Sequence, residues 1–424
     1  MVDVRSKDYE KFLELRPLNV KKVFSGSKVA LVSGRVIHKV MKKKHAIALA
    51  ANIRNFLSAF GVLRAAKKLN AAVILELAKS ENGYCGVHFD NLPEKAREYS
   101  EMIGDGVVFS LHMDHFTIKS GKERDEAIDV IQDAIRKGWT SVAVDASHNP
   151  DYENLIYTRD VALHIPPYIG LETEVGEIRG KGVLTTVEEA LYFIGGLNSW
   201  GVFPDYLAIS NGSKHGTYDK SAGEEEGIDL NRTKEIADAI SKYGVSIAQH
   251  GISGTPLDKV SKFKDYGIHK GNVGTLWQNI VFGLKVDPDS GNAIIENDSY
   301  VKDPDRGIPM ELWEEMVKEA DKRGYSRKSG DYKKLNIVFH DKIMNLDKKY
   351  IDRIVDETEE WAVKFLKAFN CEDTAEMVIE EVLKNGDYVY FPEVKVIEER
   401  GKFTRESAPD YLERKRKEEG DFSD

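Results

Sequence analysis

Three histidines sit where a chain could put them to chemical use: His115 ends "LHMDH", His215 lies in "NGSKHGTYD" and His250 opens "HGISGTP". Each follows a short apolar run and adjoins a small or turn residue, a setting that leaves an imidazole accessible. Three neutral imidazoles with one open position are a common catalytic zinc arrangement. A single such histidine reads most simply as a hydrogen-bonded strand cap, whereas three at comparable strand ends point to a metal. Asp114, beside His115, offers a proton shuttle or an acceptor that fixes a ligand's tautomer. Glu172 and Glu174 in "GLETEVGE" are two residues apart and share a strand face, where carboxylates are costly unless they hold a metal or act as a base. "HGISGTP" (250–256) and "KGNVGT" (270–275) carry glycines that expose backbone N–H groups, with Ser253 and Thr275 adding hydroxyls, a composition that suits a phosphate.

These groups are far apart in sequence, so secondary structure must gather them. From residue 45, strand-like runs alternate with helical patterns: "HAIALAANI", "AAVILELA", "DGVVFSLHMDH", "TSVAVDAS", "GLETEVG", "DYLAISNG", "VSIAQHG" and "GIHKGNVG". Between them lie amphipathic stretches such as "RDEAIDVIQDAIRKG", with Ala127, Ile128, Ile131, Ala134 and Ile135 at helical spacing. The alternation predicts parallel strands with helical crossovers, as a (β/α)8 TIM barrel or a doubly wound open sheet. An open sheet concentrates its polar residues at one switch point. Here they follow nearly every run, at Asn52, Asp114 and His115, Asp145, Glu172 and Glu174, His215, His250 and Asn272, which favours the barrel. The two glycine loops then follow strands seven and eight, where barrels often bind phosphate.

The expected organisation is an N-terminal helical segment over 1–44 closing the barrel floor, a barrel core over 45–285, a helical C-terminal extension over 286–395 and a charged tail over 396–424. The balance of 61 basic against 71 acidic residues gives a net charge of −10 and argues against a nucleic-acid partner. Cys85 and Cys371 form no CxxC pair, so neither a disulfide framework nor a thiolate metal site is expected. A charged N-terminus and the lack of a long apolar stretch predict no signal peptide, no membrane anchor and a cytoplasmic protein.

Taken in order, "LHMDH", "VDASHNPDYENL", "LETEVGE", "NGSKHGTYD", "AQHGISGTP" and "KGNVGT" resemble the class II, zinc-dependent fructose-bisphosphate aldolases and their ketose-bisphosphate relatives, over roughly residues 45 to 285. The resemblance implies a barrel, a homodimer or homotetramer, and the reversible joining of dihydroxyacetone phosphate to an aldehyde. It assigns His115, His215 and His250 as zinc ligands and Asp114 as the acid that protonates the aldehyde oxygen. Asp145 and Glu174 match carboxylates at an alternative metal position, and Asn52 a substrate contact. Gly216, Gly251, Ser253, Asn272, Val273, Gly274 and Thr275 match the loops around the ketose phosphate and a monovalent cation, Na+ or K+. Fructose 1,6-bisphosphate, cleaved to dihydroxyacetone phosphate and glyceraldehyde 3-phosphate, is the leading substrate.

Three departures stand out. The family's mobile glycine-rich loop, whose glutamate moves the substrate C–H proton, has no counterpart in "GEIRGKGVLTTVEEA", which leaves Glu177, Glu172 and "SAGEEEG" (221–227) as candidate bases. Ala78, followed by Lys79 and Ser80, replaces a serine on the aldehyde side, and Ile252 replaces a glycine. The altered aldehyde side keeps tagatose bisphosphate and sulfonated ketoses open as substrates. The missing base loop keeps open a barrel subunit that binds metal and phosphate without catalysis.

Overall fold

Eight short runs of valine, isoleucine, leucine and alanine form eight parallel strands: β1 (Ala48–Asn52), β2 (Val73–Ala78), β3 (Val108–Thr117), β4 (Ser141–Asp145), β5 (Gly170–Val175), β6 (Tyr206–Ile209), β7 (Ser246–Gln249) and β8 (Ile268–Val273). They are almost wholly buried, which is why most of them read as apolar runs, broken by Glu76 in β2, Glu172 and Glu174 in β5 and Lys270 in β8. The computed structural model describes residues 2–176, 184–213 and 227–386. Each strand pairs with the next, and β8 pairs with β1 through Ala50↔Asn272, so the sheet closes into a (β/α)8 barrel. The crossover helices follow from the sequence locally. In Gly121–Arg136, Ser120 caps the first turn by accepting the Glu123 N–H, and Ala127, Ile131, Ala134 and Ile135 form the buried stripe.

The N-terminal helices Lys7–Glu14, Leu18–Val23 and Gly34–Lys44 lie toward the start of the strands. A two-residue strand, Ala30–Leu31, pairs with Val108 and Phe109 at the beginning of β3. A β-carbon at Gly34 would fall 2.6 Å from Ser141 Oγ, so glycine lets this helix press against the barrel floor.

After the barrel, a small antiparallel ribbon pairs Ile295–Glu296 with Ser299–Tyr300, an element the apolar pattern did not reveal. The helices Met310–Lys322, Asn336–Met344, Lys348–Ala368 and Thr374–Asn385 follow. Trp313, Met316, Tyr332, Leu335 and Phe339 share an apolar cluster with Phe282 and Val355. The helix Lys348–Ala368 lies along the barrel helix Phe56–Lys68, where a β-carbon at Gly61 would fall 2.6 Å from Thr358 Cβ. Beyond it the chain returns to the floor: Ile47 N–H donates to the Phe369 carbonyl at 2.9 Å, and Ala72 N–H to Thr374 Oγ1 at 2.9 Å. No helix among the described residues is long and apolar enough to cross a membrane. The expected charged tail lies outside the described residues.

Candidate active site

Strand β3 carries the centre of the site and departs from regular pleating there. Met113 pairs with Val142 but Phe116 with Val144, so one extra residue is accommodated between them, a β-bulge. His115 absorbs it with a left-handed φ of 42°, which is uncommon for a residue with a side chain. Neighbours on a regular strand face opposite ways, yet the bulge lets both Asp114 and His115 line the cavity. Both residues sit within the strand and not at its end, since β3 continues to Thr117.

Across the barrel, His250 follows β7 and lies against His115, the two rings tilted by 46° at a centroid separation of 4.3 Å. Its Nε2 lies 3.0 Å from Glu172 Oε1 and its Nδ1 3.2 Å from Asn272 Nδ2, which also donates to Asp114 Oδ1 at 3.2 Å. Glu172 therefore accepts the Nε2–H proton and leaves the lone pair on Nδ1. On His115, Nδ1 faces Glu174 Oε2 at 3.1 Å. An imidazole held by a carboxylate on one nitrogen is the usual setting of a metal ligand. Asp145 completes this side: it lies 4.0 Å from His115 Nδ1 and accepts from Thr117 Oγ1 at 3.2 Å and Ser147 Oγ at 2.6 Å.

The electrostatics ask for a cation. The buried Lys270 ammonium is shared by Glu76, Asp114 and Glu172, while Asp145 and Glu174 face His115. Burial alone would lower the pKa of His115, yet Asp114, Glu174 and Asp145 hold it well above the usual histidine value. Burial together with Asp145 raises Glu174 to about 7. Burial would likewise raise Asp114, but His115, Lys270 and His250 bring it down to about 2. Two donor sets, Asp114–His115–His250 and His115–Asp145–Glu174, each have ligand atoms within 4.8 Å of one another. A mixed nitrogen and oxygen set of this kind fits a divalent ion.

The surrounding cavity measures about 420 Å³, within the range of small-molecule sites. Asn52, Gly251, Ser253, Asn272, Gly274 and Thr275 line it, whereas Val273 is fully buried in the core. His215 and Gly216 lie outside the described residues, as do Glu177 and most of the acidic run 221–227. Glu172, also offered as a base, is occupied by His250 and Lys270 and does not line the cavity. Lys79 turns away, bonding the Thr117 carbonyl over the Phe116 ring.

Several site residues escaped the sequence reading. Glu76 and Lys270 are fully buried inside the barrel, 3.1 Å apart, and His112 lies 3.4 Å from Glu172. Burial first, then Lys270, lowers the His112 pKa to about 3. The signal was a charge embedded in the apolar runs "VILELA" and "GIHKGNVG". Arg54, Glu81, Tyr300 and Lys333 also line the cavity.

The family model for class-II fructose-bisphosphate aldolase matches residues 32–329. A fructose-bisphosphate aldolase of Giardia intestinalis is 24% identical over 323 residues, covering 70% of this chain and 94% of its own. One from Streptococcus pyogenes is 28% identical over 255 residues, covering 58% of this chain and 80% of its own. Among solved structures, the YdjI aldolase of Escherichia coli K12 superposes with a TM-score of 0.55 at 19% identity, covering 81% of this chain and 99% of its own. The fructose-bisphosphate aldolase of Campylobacter jejuni gives 0.52 at 17%, with coverage of 81% and 97%; at these identities both show the fold alone. With most of its length matched, barrel included, this chain belongs to the class II fructose-bisphosphate aldolase family and is a carbon–carbon lyase.

Proposed function

We propose that the chain reversibly cleaves fructose 1,6-bisphosphate to dihydroxyacetone phosphate and glyceraldehyde 3-phosphate, using a divalent ion, zinc by family expectation. The observation that carries this reading is the placement of Asp114 beside His115 and His250, in one cavity with the glycine loops after β7 and β8. His115, His250 and, beyond the described residues, His215 would hold the ion, with Asp145 and Glu174 as an alternative position. When bound, such an ion acts as a Lewis acid toward the ketose oxygens.

The chain's own groups carry both protons of the reaction: the one taken up at carbon by the ketose half falls to the candidate bases that remain, Glu177 or the acidic run 221–227. Asp114, ionised at neutral pH, accepts the hydroxyl proton of the aldehyde half as the carbon–carbon bond breaks, and returns it in condensation. Backbone N–H groups of Gly251, Ser253, Gly274 and Thr275 receive the ketose phosphate, with a monovalent cation beside it. Asn272, bonded to both Asp114 and His250, keeps the proton-carrying and metal-facing groups in register.

The test is deuterium exchange into dihydroxyacetone phosphate followed by NMR, with and without a chelator. This step precedes any aldehyde. The expected result is exchange that a chelator abolishes; exchange indifferent to the chelator, or none despite phosphate binding, would overturn the reading.

A further inference from the structure

At the floor of the barrel, the end away from the active site, the helix Leu18–Val23, the last turn of the helix Gly121–Arg136 and the loop leading into β5 enclose a groove of about 570 Å³. Its walls are apolar, built by Leu18, Val23, Ile135 and Tyr168, and Lys22 and Arg136 stand at its edges. Leu18 is 63% and Val23 40% exposed, although the same short helix buries Asn19 and Val20. The Lys22 ammonium has no hydrogen bond or ion pair among the described residues, and Arg136 reaches Asp133 only at 3.8 Å. Asn19, also lining the groove, donates through Nδ2 to the Ile135 and Trp139 carbonyls at 2.7 and 2.9 Å, while its buried Oδ1 has no hydrogen-bond partner among the described residues. A buried acceptor without a donor is costly, so the groove is short of an N–H or O–H as well as of apolar cover.

The described chain stops next to this groove. Gly386 closes the helix Thr374–Asn385 with a left-handed φ of 59°, and a β-carbon on it would fall 3.7 Å from Leu15 Cδ2. Leu15 is three residues from Leu18, so their Cα atoms are no more than about 11 Å apart. After Gly386 the sequence reads "DYVYFPEVKVI" (387–397), in which seven of eleven residues are aromatic or aliphatic. An extended chain of that length spans roughly 35 Å, ample for the groove. Tyr388, Tyr390 and Phe391 offer the missing apolar surface, and Asp387 and Glu393 offer carboxylates to Lys22 and Arg136. A tyrosine hydroxyl or a backbone N–H of the same segment would satisfy Asn19 Oδ1.

We propose that residues 387–397 fold back from Gly386 and occupy this groove, closing the barrel floor over the helix Leu18–Val23. The tether holds the segment at roughly millimolar effective concentration, so a modest contact keeps it seated against a second copy of the chain. The inference is independent of the aldol reading.

The experiment is hydrogen exchange read by mass spectrometry on the full chain, comparing the wild type with Tyr390→Asp/Phe391→Asp and with Leu18→Asp over a range of protein concentrations. In the wild type, the amides of 387–397 are expected to be protected along with those of 18–23 and 164–168. Each variant should speed exchange in both places by roughly tenfold or more, the factor that one lost buried aromatic or leucine contact is worth. Thermal melting checks that the variants fold, and Lys22→Glu is read in place of Leu18→Asp if that variant melts early. Unprotected amides over 387–397 in the wild type, or exchange at the groove indifferent to the tail variant, would overturn the proposal. Protection that rises with protein concentration, together with dimers in light scattering, would also overturn it by assigning the groove to a second copy.

Discussion

Lys270 Nζ lies 2.7 Å from Glu172 Oε2 at the centre of the barrel, with both side chains sealed from solvent. Burial would strip the charge from either, yet each holds the other ionised: Lys270 stays above the usual lysine pKa and Glu172 well below the usual carboxylate range. Glu76, 3.1 Å away, is raised by burial and by Asp114. Glu172 in turn orients His250, so one buried ion pair supports a proposed metal ligand.

Removing the lysine leaves Glu172 buried without its cation. Lys270→Met is expected to destabilise the fold by about 3–5 kcal/mol, the cost of breaking a buried pair from one side. The double variant Lys270→Met/Glu172→Gln should recover a large part of it. Urea denaturation of both variants checks this; an additive loss would show that the two do not act as a pair.

His115 and Asp114, adjacent in sequence, should separate in function. His115→Ala is expected to lose both bound metal and lyase activity. Asp114→Asn should retain metal and lose roughly 10²–10⁴-fold in kcat, the usual contribution of a positioned proton-transfer group. Metal analysis beside steady-state kinetics distinguishes them, and normal turnover in both would rule out the assignment.

Metal binding should be pH-dependent through His115. Its folded pKa lies above the ordinary 6.5, so below that raised value a proton occupies the imidazole and competes with the ion. Affinity for a divalent ion is expected to climb as pH rises through neutrality, by up to about tenfold per unit for one displaced proton. Calorimetry in buffers of different ionisation enthalpy should register proton release; binding without release would show that His115 is not a ligand.

The extension's docking hinges on Gly61. A leucine there meets Thr358 and the Val355 carbonyl, and Gly61→Leu is expected to cost about 1–3 kcal/mol. Because the extension carries Lys333, limited proteolysis should cut it faster in this variant. Unchanged protection would show that the helix pair accommodates the side chain.

Much of the architecture could be read from the sequence because strands buried on both faces leave largely apolar runs, and because the chemical residues recur at or after nearly every run. Asp114 and His115 could be chosen as a pair, but the bulge that lets both face the cavity leaves no glycine or other compositional mark. Glu76 and Lys270 were visible as charges inside apolar strands, yet an argument built on strand ends passed over residues one turn of pleat deeper. Lys333 and Tyr300 had no local signal, since their significance lies in contacts with Arg54, Tyr84 and Tyr332, set by the path of the extension.

The bond from Ile47 N–H to the Phe369 carbonyl joins the first barrel strand to a residue near the end of the described chain. During synthesis the start of β1 must wait for that partner, roughly 20–60 s at ordinary elongation rates. Until then the floor edge stays unsealed and Lys333 is absent from the rim for much of the same interval. The nascent chain thus passes through a stage in which all eight strands have been synthesised while a backbone donor at their floor still lacks its partner.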